Sequence, residues 1–231
     1  MNANLCRFEP HSHSMYSNIR LLDSINRPKD MLLTAAKLGL SGLAITDHEF
    51  IGSHVDFLHL EEELKEKEKI PKDFKLGLGN EIYLVNSRNK EDIIRYFHFI
   101  LIAKDTRGHR ALKELSSKAW YNMFVDRGME RVPTLKSELK EIVEKYPNSL
   151  IATTACLGGE LAYLVEELIK EDKWEIKKQI VDFIQDMKRL FGEDFYIEVA
   201  PSNSKDQVKY NKKVVEIATA TETKMVIGTD A

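Results

Sequence analysis

Along nearly the whole chain, short runs rich in β-branched and aromatic residues alternate with stretches of helical apolar period, and this alternation restricts the fold more than any other feature. The runs "LCRFEP", "GLAITDH", "FKLGLGNEIYLV", "YFHFILIAKD", "SLIATTACL", "FYIEVAP" and "MVIGTDA" read as strands. Helical patterns fall in "INRPKDMLLTAAKLGL", "HVDFLHLEEELKEKEK", "LKELSSKAWYNMF", "TLKSELKEIVEKY", "EIKKQIVDFIQDMKRLFG" and "SKDQVKYNKKVVEIATAT". The first of these carries Asn26 as a candidate N-cap, Pro28 in its first turn and Gly39 as its stop. Strands that alternate with helices call for a parallel-rich sheet covered by helices, and no Gly/Ser linker or low-complexity tract divides the chain. Residues 1–231 therefore read as one α/β domain, a barrel of seven strands in preference to an open doubly wound sheet.

The third and fourth strands depart from this scheme, because only the polar stretch "NSRNKED" joins "EIYLV" to "IIRYFHF". That link is too short for a crossover helix, so the two strands should pair antiparallel, with Glu81 and His98 roughly opposite each other. Two helices then precede the fifth strand and return the chain to a parallel start.

Chemistry-bearing residues gather at the ends of these strands. His11 and His13 follow the first strand, and side chains two apart on extended backbone point to one side, so the pair can converge on a point. Asp47 and His48 follow the second strand, Glu81 lies in the third and His98 opens its hairpin partner. Cys156 closes the fifth and Asp230 the seventh. Each alone has a plainer explanation: solvated loop histidines, a small core cysteine, a turn-forming aspartate. Their joint placement at one barrel mouth, where βα loops carry catalytic groups, favours a metal centre. His54, His59 and His109 fall in helical, polar surroundings and receive no role.

Composition limits the function classes. A net charge of −3 argues against an autonomous nucleic-acid binder, which draws its affinity from clustered Lys and Arg. Cys6 and Cys156 are the only cysteines, which gives no disulfide framework and suits a reducing cytoplasm. The N-terminus "MNANLCRFEP" lacks the apolar core of a signal peptide, and no run reaches membrane-spanning length, so no membrane partner is expected. There is no Gly-x-Ser-x-Gly elbow and no phosphate loop ending in Lys-Ser/Thr, and "GLGNE" lacks the context of a dinucleotide fingerprint. Glu81 is the best placed acid to bridge two cations, which would lower the pKa of a water between them and neutralise a phosphate under attack. Phosphoester hydrolysis is the favoured chemistry.

With these motifs in place, the sequence resembles the PHP (polymerase and histidinol phosphatase) family. The likeness lies in "HSHSMYS", "AITDH", "GNEIYL", "FHFILIAKD", "TTACLGGEL" and "VIGTDA", and it covers nearly the whole chain. More narrowly, "FHFILIAKDTRGHRALKELSSKAW" and "TTACLGGELA" are similar to the N-terminal PHP domain of bacterial DNA polymerase III alpha subunits. The resemblance implies a distorted seven-stranded, TIM-like β/α barrel with two to three divalent transition metals (zinc, manganese or iron) at its mouth. Carried over residue by residue, His11, His13, Glu81 and Asp230 would hold one metal and carry the catalysis. Glu81, His98 and Cys156 would hold a second. A third would use His48 and an acid after the first motif, Asp23 in "RLLDS", with Asp47 supporting the ligands. Two departures stand out. The loop "YSNIRLLD" is longer than the common form, and the chain stops at Ala231, one residue short of the histidine that ends the family's Asp-x-His motif. The resemblance thus implies an N-terminal piece of a longer polymerase with its third metal site incomplete.

Three functions follow from the resemblance. The leading one is a metal-dependent phosphoesterase acting as a 3′ to 5′ proofreading exonuclease, with DNA reached through the parent polymerase. A second is a metal-stabilised scaffold that braces the rest of the polymerase chain and docks a separate proofreading or clamp subunit. The third, a free-standing phosphatase, is disfavoured by the polymerase-like stretch "DTRGHRALKELSSKAWYNMF".

Overall fold

The computed structural model describes residues 7–22 and 24–231, so Cys6 and Asp23 lie outside the described residues. In chain order the main elements are β1 (Phe8–Glu9), α1 (Pro28–Lys37), β2 (Gly42–Ile45), α2 (His54–Glu66), β3 (Lys75–Val85), β4 (Phe97–Ala103) and α3 (Thr106–Tyr121). They continue with β5 (Phe124–Asp126), β6 (Met129–Arg131), β7 (Thr134–Leu135), α4 (Lys136–Lys145), β8 (Leu150–Thr153), α5 (Glu160–Lys170), α6 (Trp174–Phe191), β9 (Phe195–Val199), α7 (Lys205–Ala220) and β10 (Met225–Ile227).

The main sheet runs β1-β2-β3-β4-β8-β9-β10, with β7 added beside β3. The strands expected from the sequence form this circuit. All its pairs are parallel except β3–β4 and β4–β8, so β4 alone runs against the rest. The sheet curls into a nearly closed barrel whose seam lies between β1 and β10. The Glu9 carboxylate there accepts from the Thr229 amide at 2.9 Å and the His11 amide at 3.2 Å, and the His13 amide donates to the Ala231 carbonyl at 2.6 Å.

Strand alternation sorts the side chains into an outer and an inner set. On β2, Leu43 and Ile45 face outward into a cluster with Leu32, Phe57, Leu64 and Phe74 from α1, α2 and the link to β3. On β4, Phe99 and Leu101 join the larger outer core formed with α3 to α7, whereas Ile100 and Ile102 face inward with Ala44 and Ala155. Each large apolar side chain so buried contributes about 1.5–3 kcal/mol. The interior floor is therefore small and apolar, and its narrowness is legible at Gly77, where a Cβ would lie 2.9 Å from that of Ala44.

Several local expectations change. Arg27, not Asn26, occupies the N-cap of α1 and makes no side-chain cap; Asn26 instead donates to the His13 carbonyl at 3.1 Å, which ties the histidine loop down. Pro28 opens the helix and Gly39 follows it at φ 75°, as read. Helix α5 and the β5–β6 hairpin have no counterpart in the sequence reading. Glu81 faces Ile100, and His98 faces Tyr83. The pair is thus diagonal on one face of the hairpin, a separation long side chains can span.

His54 also differs, being buried rather than in polar surroundings. Its Nε2 donates to the Gly79 carbonyl at 2.8 Å, which leaves Nδ1 to accept from His109 Nε2 at 3.1 Å. Burial, against the Gly79 bond and aided by His109, pushes its pKa down to about 4 from 6.5. Between these values the unfolded chain binds more protons, so stability falls as pH drops through this window, by roughly 3 kcal/mol in total. His54→Gln keeps a donor for Gly79 and removes the titration. Urea unfolding between about pH 7 and pH 4.5 should show a loss smaller by roughly 2 kcal/mol in the variant; equal losses would show that His54 does not contribute it.

Candidate metal centre

The mouth of the barrel collects two groups of donors that share one carboxylate. In the first, His11 Nε2 and His13 Nε2 lie 3.0 Å apart. Each is 3.2 Å from Asp230 Oδ1, and they stand 2.9 and 3.5 Å from Glu81 Oε2. In the second, Glu81 Oε1 is 2.7 Å from His98 Nδ1, which is 3.6 Å from Cys156 Sγ. Within each group the donor atoms all lie within 4.8 Å of one another. Glu81 is fully buried and turns one oxygen to each group. Two imidazole nitrogens and two carboxylate oxygens pointed at one another are more acceptors than shared protons satisfy with good geometry. A cation satisfies all of them, and the mixed N, O and S set suits zinc, manganese or iron.

The electrostatics of the donor groups tell the same story. Burial alone would push the Glu81 carboxyl up, but the charge of His98 and bonds from His11, His13 and His48 hold it well below the usual range. Burial would lower His11, and the charges and bonds of Glu198 and Glu81 raise it instead. The same contest at His13, with Asp230 and Glu81 as partners, brings its pKa up to about 9. Asp230 is held down at about 2, because its bond from His13 and the His11 charge outweigh burial. Burial and the charges of Glu81 and Asp230 push the Cys156 thiol up, so a ligand thiolate there needs a cation to form.

Neighbouring groups fix the ligands. His11 Nδ1 lies 2.6 Å from Glu198 Oε1, and Thr153 Oγ1 donates to the other Glu198 oxygen at 2.5 Å. A carboxylate on Nδ1 leaves Nε2 free as a metal-facing lone pair. His13 Nδ1 is likewise engaged by Ser17 Oγ at 3.1 Å. Tyr83 stacks on His98 with centroids 4.4 Å apart. Gly158 passes so close that a Cβ there would stand 2.7 Å from the His98 ring. Ala155 and Asp230 adopt left-handed backbone at φ 57° and 53°, a local cost concentrated beside the ligands.

Of the residues named from sequence, His11, His13, Glu81, His98, Cys156 and Asp230 come together here. Cys156 and Asp230 stand in loops beyond β8 and β10 rather than in the strands. His48 also reaches the site, with Nδ1 2.9 Å from Glu81 Oε1 and 3.1 Å from the Tyr83 hydroxyl. Asp23, its proposed companion, lies outside the described residues. Asp47 turns away to accept from the Ser14 amide and the hydroxyls of Ser14, Ser17 and Ser53, which braces the loop carrying His13. Glu198 escaped the sequence reading; its signal was a lone acid near the C-terminal end of "FYIEVAP".

Comparisons with known proteins fit this geometry. The PHP domain family matches residues 9–202. The chain belongs to the PHP domain family. It is 43% identical over 235 residues to "Probable DNA polymerase YorL" of Bacillus subtilis, covering 96% of this chain and 18% of that protein. It is 31% identical over 212 residues to a DNA polymerase III subunit alpha of Borreliella burgdorferi, covering 89% and 16%. The PHP chain thus spans less than a fifth of the length of these relatives. Among solved structures, a Bifidobacterium adolescentis protein described as a metal-dependent phosphoesterase superposes with TM-score 0.53 at 15% identity, over 98% of this chain and 87% of that one. An amidohydrolase from Chromobacterium violaceum gives 0.56 at 14% identity, over 97% and 87%. At such identities the likeness concerns the barrel fold.

The shared carboxylate leads to a ranking. Glu81→Ala should remove binding at both groups in a metal titration, whereas Glu198→Gln, which only frees the His11 ring, should weaken binding by about 10- to 100-fold. Equal losses from both would show that Glu81 does not bridge.

Proposed function

We propose that this PHP domain is a metal-dependent phosphoesterase, serving as a 3′ to 5′ proofreading exonuclease within a longer replicative DNA polymerase. The observation that carries the reading is the Glu81 carboxylate, fully buried and shared between two donor groups. His11, His13, Glu81 and Asp230 would hold one divalent cation, and Glu81, His98 and Cys156 a second; His48 completes the wall, and Asp23 is proposed as its companion. Such a pair supplies Lewis-acid activation of water and neutralises the phosphate.

The chain's own groups then divide the remaining work. Glu198 and Ser17 orient the two histidine rings so that substrate entry does not turn them. Asp230 and His98 are partly open to solvent, with side chains 36% and 23% exposed, whereas His11 and Glu81 are sealed, so a phosphate approaches from the side of Asp230 and His98. The polymerase relatives support DNA as the substrate and the rest of a polymerase chain as the partner. Among the described residues, no helix is long and apolar enough to cross a membrane, which fits a cytoplasmic replication protein.

The depth of the first group favours a second reading. His11, His13 and Glu81 are nearly sealed from water, as structural metal sites are. On that reading the metals stiffen a scaffold that docks a separate proofreading or clamp subunit.

Elemental analysis of protein purified without chelator should find zinc, manganese or iron near stoichiometry. In the presence of manganese the chain should hydrolyse bis(p-nitrophenyl) phosphate, and Glu81→Ala should reduce the rate at least about 100-fold. A polymerase carrying this domain should release nucleotides from a 3′-mismatched primer, and lose that release with Glu81→Ala. If it holds its metals yet releases none, the scaffold reading takes its place.

A further inference from the structure

Beside the second donor group a cleft of about 310 Å³ opens between the β3–β4 connection and the β5–β6 hairpin. Its wall includes His98 and Tyr83, so the cleft leads directly to the metal-facing side of the barrel. Arg95, Arg127 and Arg131 line it, with Asp126 the one acid on the wall. The Tyr96 hydroxyl donates to Asp126 at 3.2 Å, which occupies part of that charge. None of the three arginines forms an ion pair among the described residues, although buried Glu49 is near enough to Arg131 to feel its charge.

Arg131 is held in place, and Arg95 reaches the Leu157 carbonyl at 3.5 Å. The Arg131 guanidinium sits over the Tyr96 ring at 4.5 Å, and its Nε has no hydrogen-bond partner. Arg127 and Gly128 form the hairpin tip with φ 50° and 76°, a turn that favours Asn or Gly at the arginine's position. The strained residue thus carries a cation at the cleft's edge. The hairpin itself is anchored at its back, where Arg20 donates to the Glu130 carbonyl and Lys90 to the Val125 carbonyl, each at 2.5 Å.

We propose that this cleft is the subsite for the phosphodiester backbone of a single nucleic-acid strand, which Arg95, Arg127 and Arg131 guide past Tyr96 toward His98. The proposal rests on the phosphoesterase reading for the strand's destination, but it concerns binding alone. Guanidiniums beside an aromatic ring are the chemistry by which single strands are tracked without regard to sequence. Phosphates would accept hydrogen bonds from the exposed guanidiniums of Arg95 and Arg127.

The test is fluorescence anisotropy of a labelled oligothymidylate with the full chain, over a range of salt concentrations. The parent chain should bind, and R95A/R127A should weaken binding roughly tenfold at low salt while reducing the slope of log affinity against log salt by about 1.4. Removing two lysines from the outer helix α6 (K177A/K178A) should leave both quantities unchanged. No binding by the parent, equal binding by R95A/R127A, or an equal loss in the lysine variant would overturn the proposal. Inorganic phosphate that displaces the oligonucleotide as readily as thymidine monophosphate does would overturn it too, in favour of a free-anion site. Hydrolysis of bis(p-nitrophenyl) phosphate reports separately on the metal site: a parent chain that binds the oligonucleotide yet leaves this ester intact would overturn the phosphoesterase reading and leave the strand subsite standing.

Discussion

A fully buried carboxylate at Glu81 is the constraint around which the barrel mouth is organised. Its unpaired charge would cost several kcal/mol in desolvation. The chain brings positive or metal-facing groups to it from every side: His11 and His13 from after β1, His48 from after β2, and His98 from the antiparallel β4. Those histidines need fixed rings, which is why Glu198, Ser17 and Tyr83 stand behind them. The supports must in turn be positioned, which the inward faces of β3 and β9 and the turn after β1 accomplish. Ala44, Ile100 and Ile102 form a small apolar cluster on the barrel floor.

Much of this is legible in the sequence because a barrel converts strand order into spatial proximity. Once a run is read as a strand, its C-terminal end lies at the mouth, and residues as far apart as His11 and Asp230 become neighbours without any pairwise information. The antiparallel β3–β4 turn was legible for a similar reason: seven polar residues cannot carry a crossover. Register was not. Chain length does not say which residue of β4 meets Glu81, and the actual partner, Ile100, places His98 two positions away on the same face.

The remainder depended on tertiary packing that no local pattern encodes. Glu198 becomes a histidine support only because β9 runs beside β8, where Thr153 can hold its second oxygen. His54 reads as a surface histidine by its polar neighbours, yet the Gly79 carbonyl gives it a buried partner. The β5–β6 strands are three residues each and none of their residues is buried, so they lack an apolar alternation to detect. Helix α5 is strongly amphipathic, but it follows directly on the glycines of "CLGGEL", which mask its start.

The position of the first donor group has a structural meaning beyond chemistry. The barrel's circuit is not closed by strand pairing between β1 and β10; among the described residues, side-chain and loop contacts bridge that seam, through Glu9, from His13 to Ala231, and from His11 and His13 to Asp230. His11 and His13 stand on one side of it and Asp230 on the other, while Glu81 reaches them from the third strand of the circuit. A cation held by these four would therefore fasten the first strand to the last across the one place where the backbone ladder is missing. Its binding energy is available to stability because the unfolded chain brings no such set together. His13 Nε2 and Asp230 Oδ1 already meet across this gap at 3.2 Å. Closure of the barrel and assembly of the site are in this sense a single event, carried by residues more than two hundred positions apart in the chain.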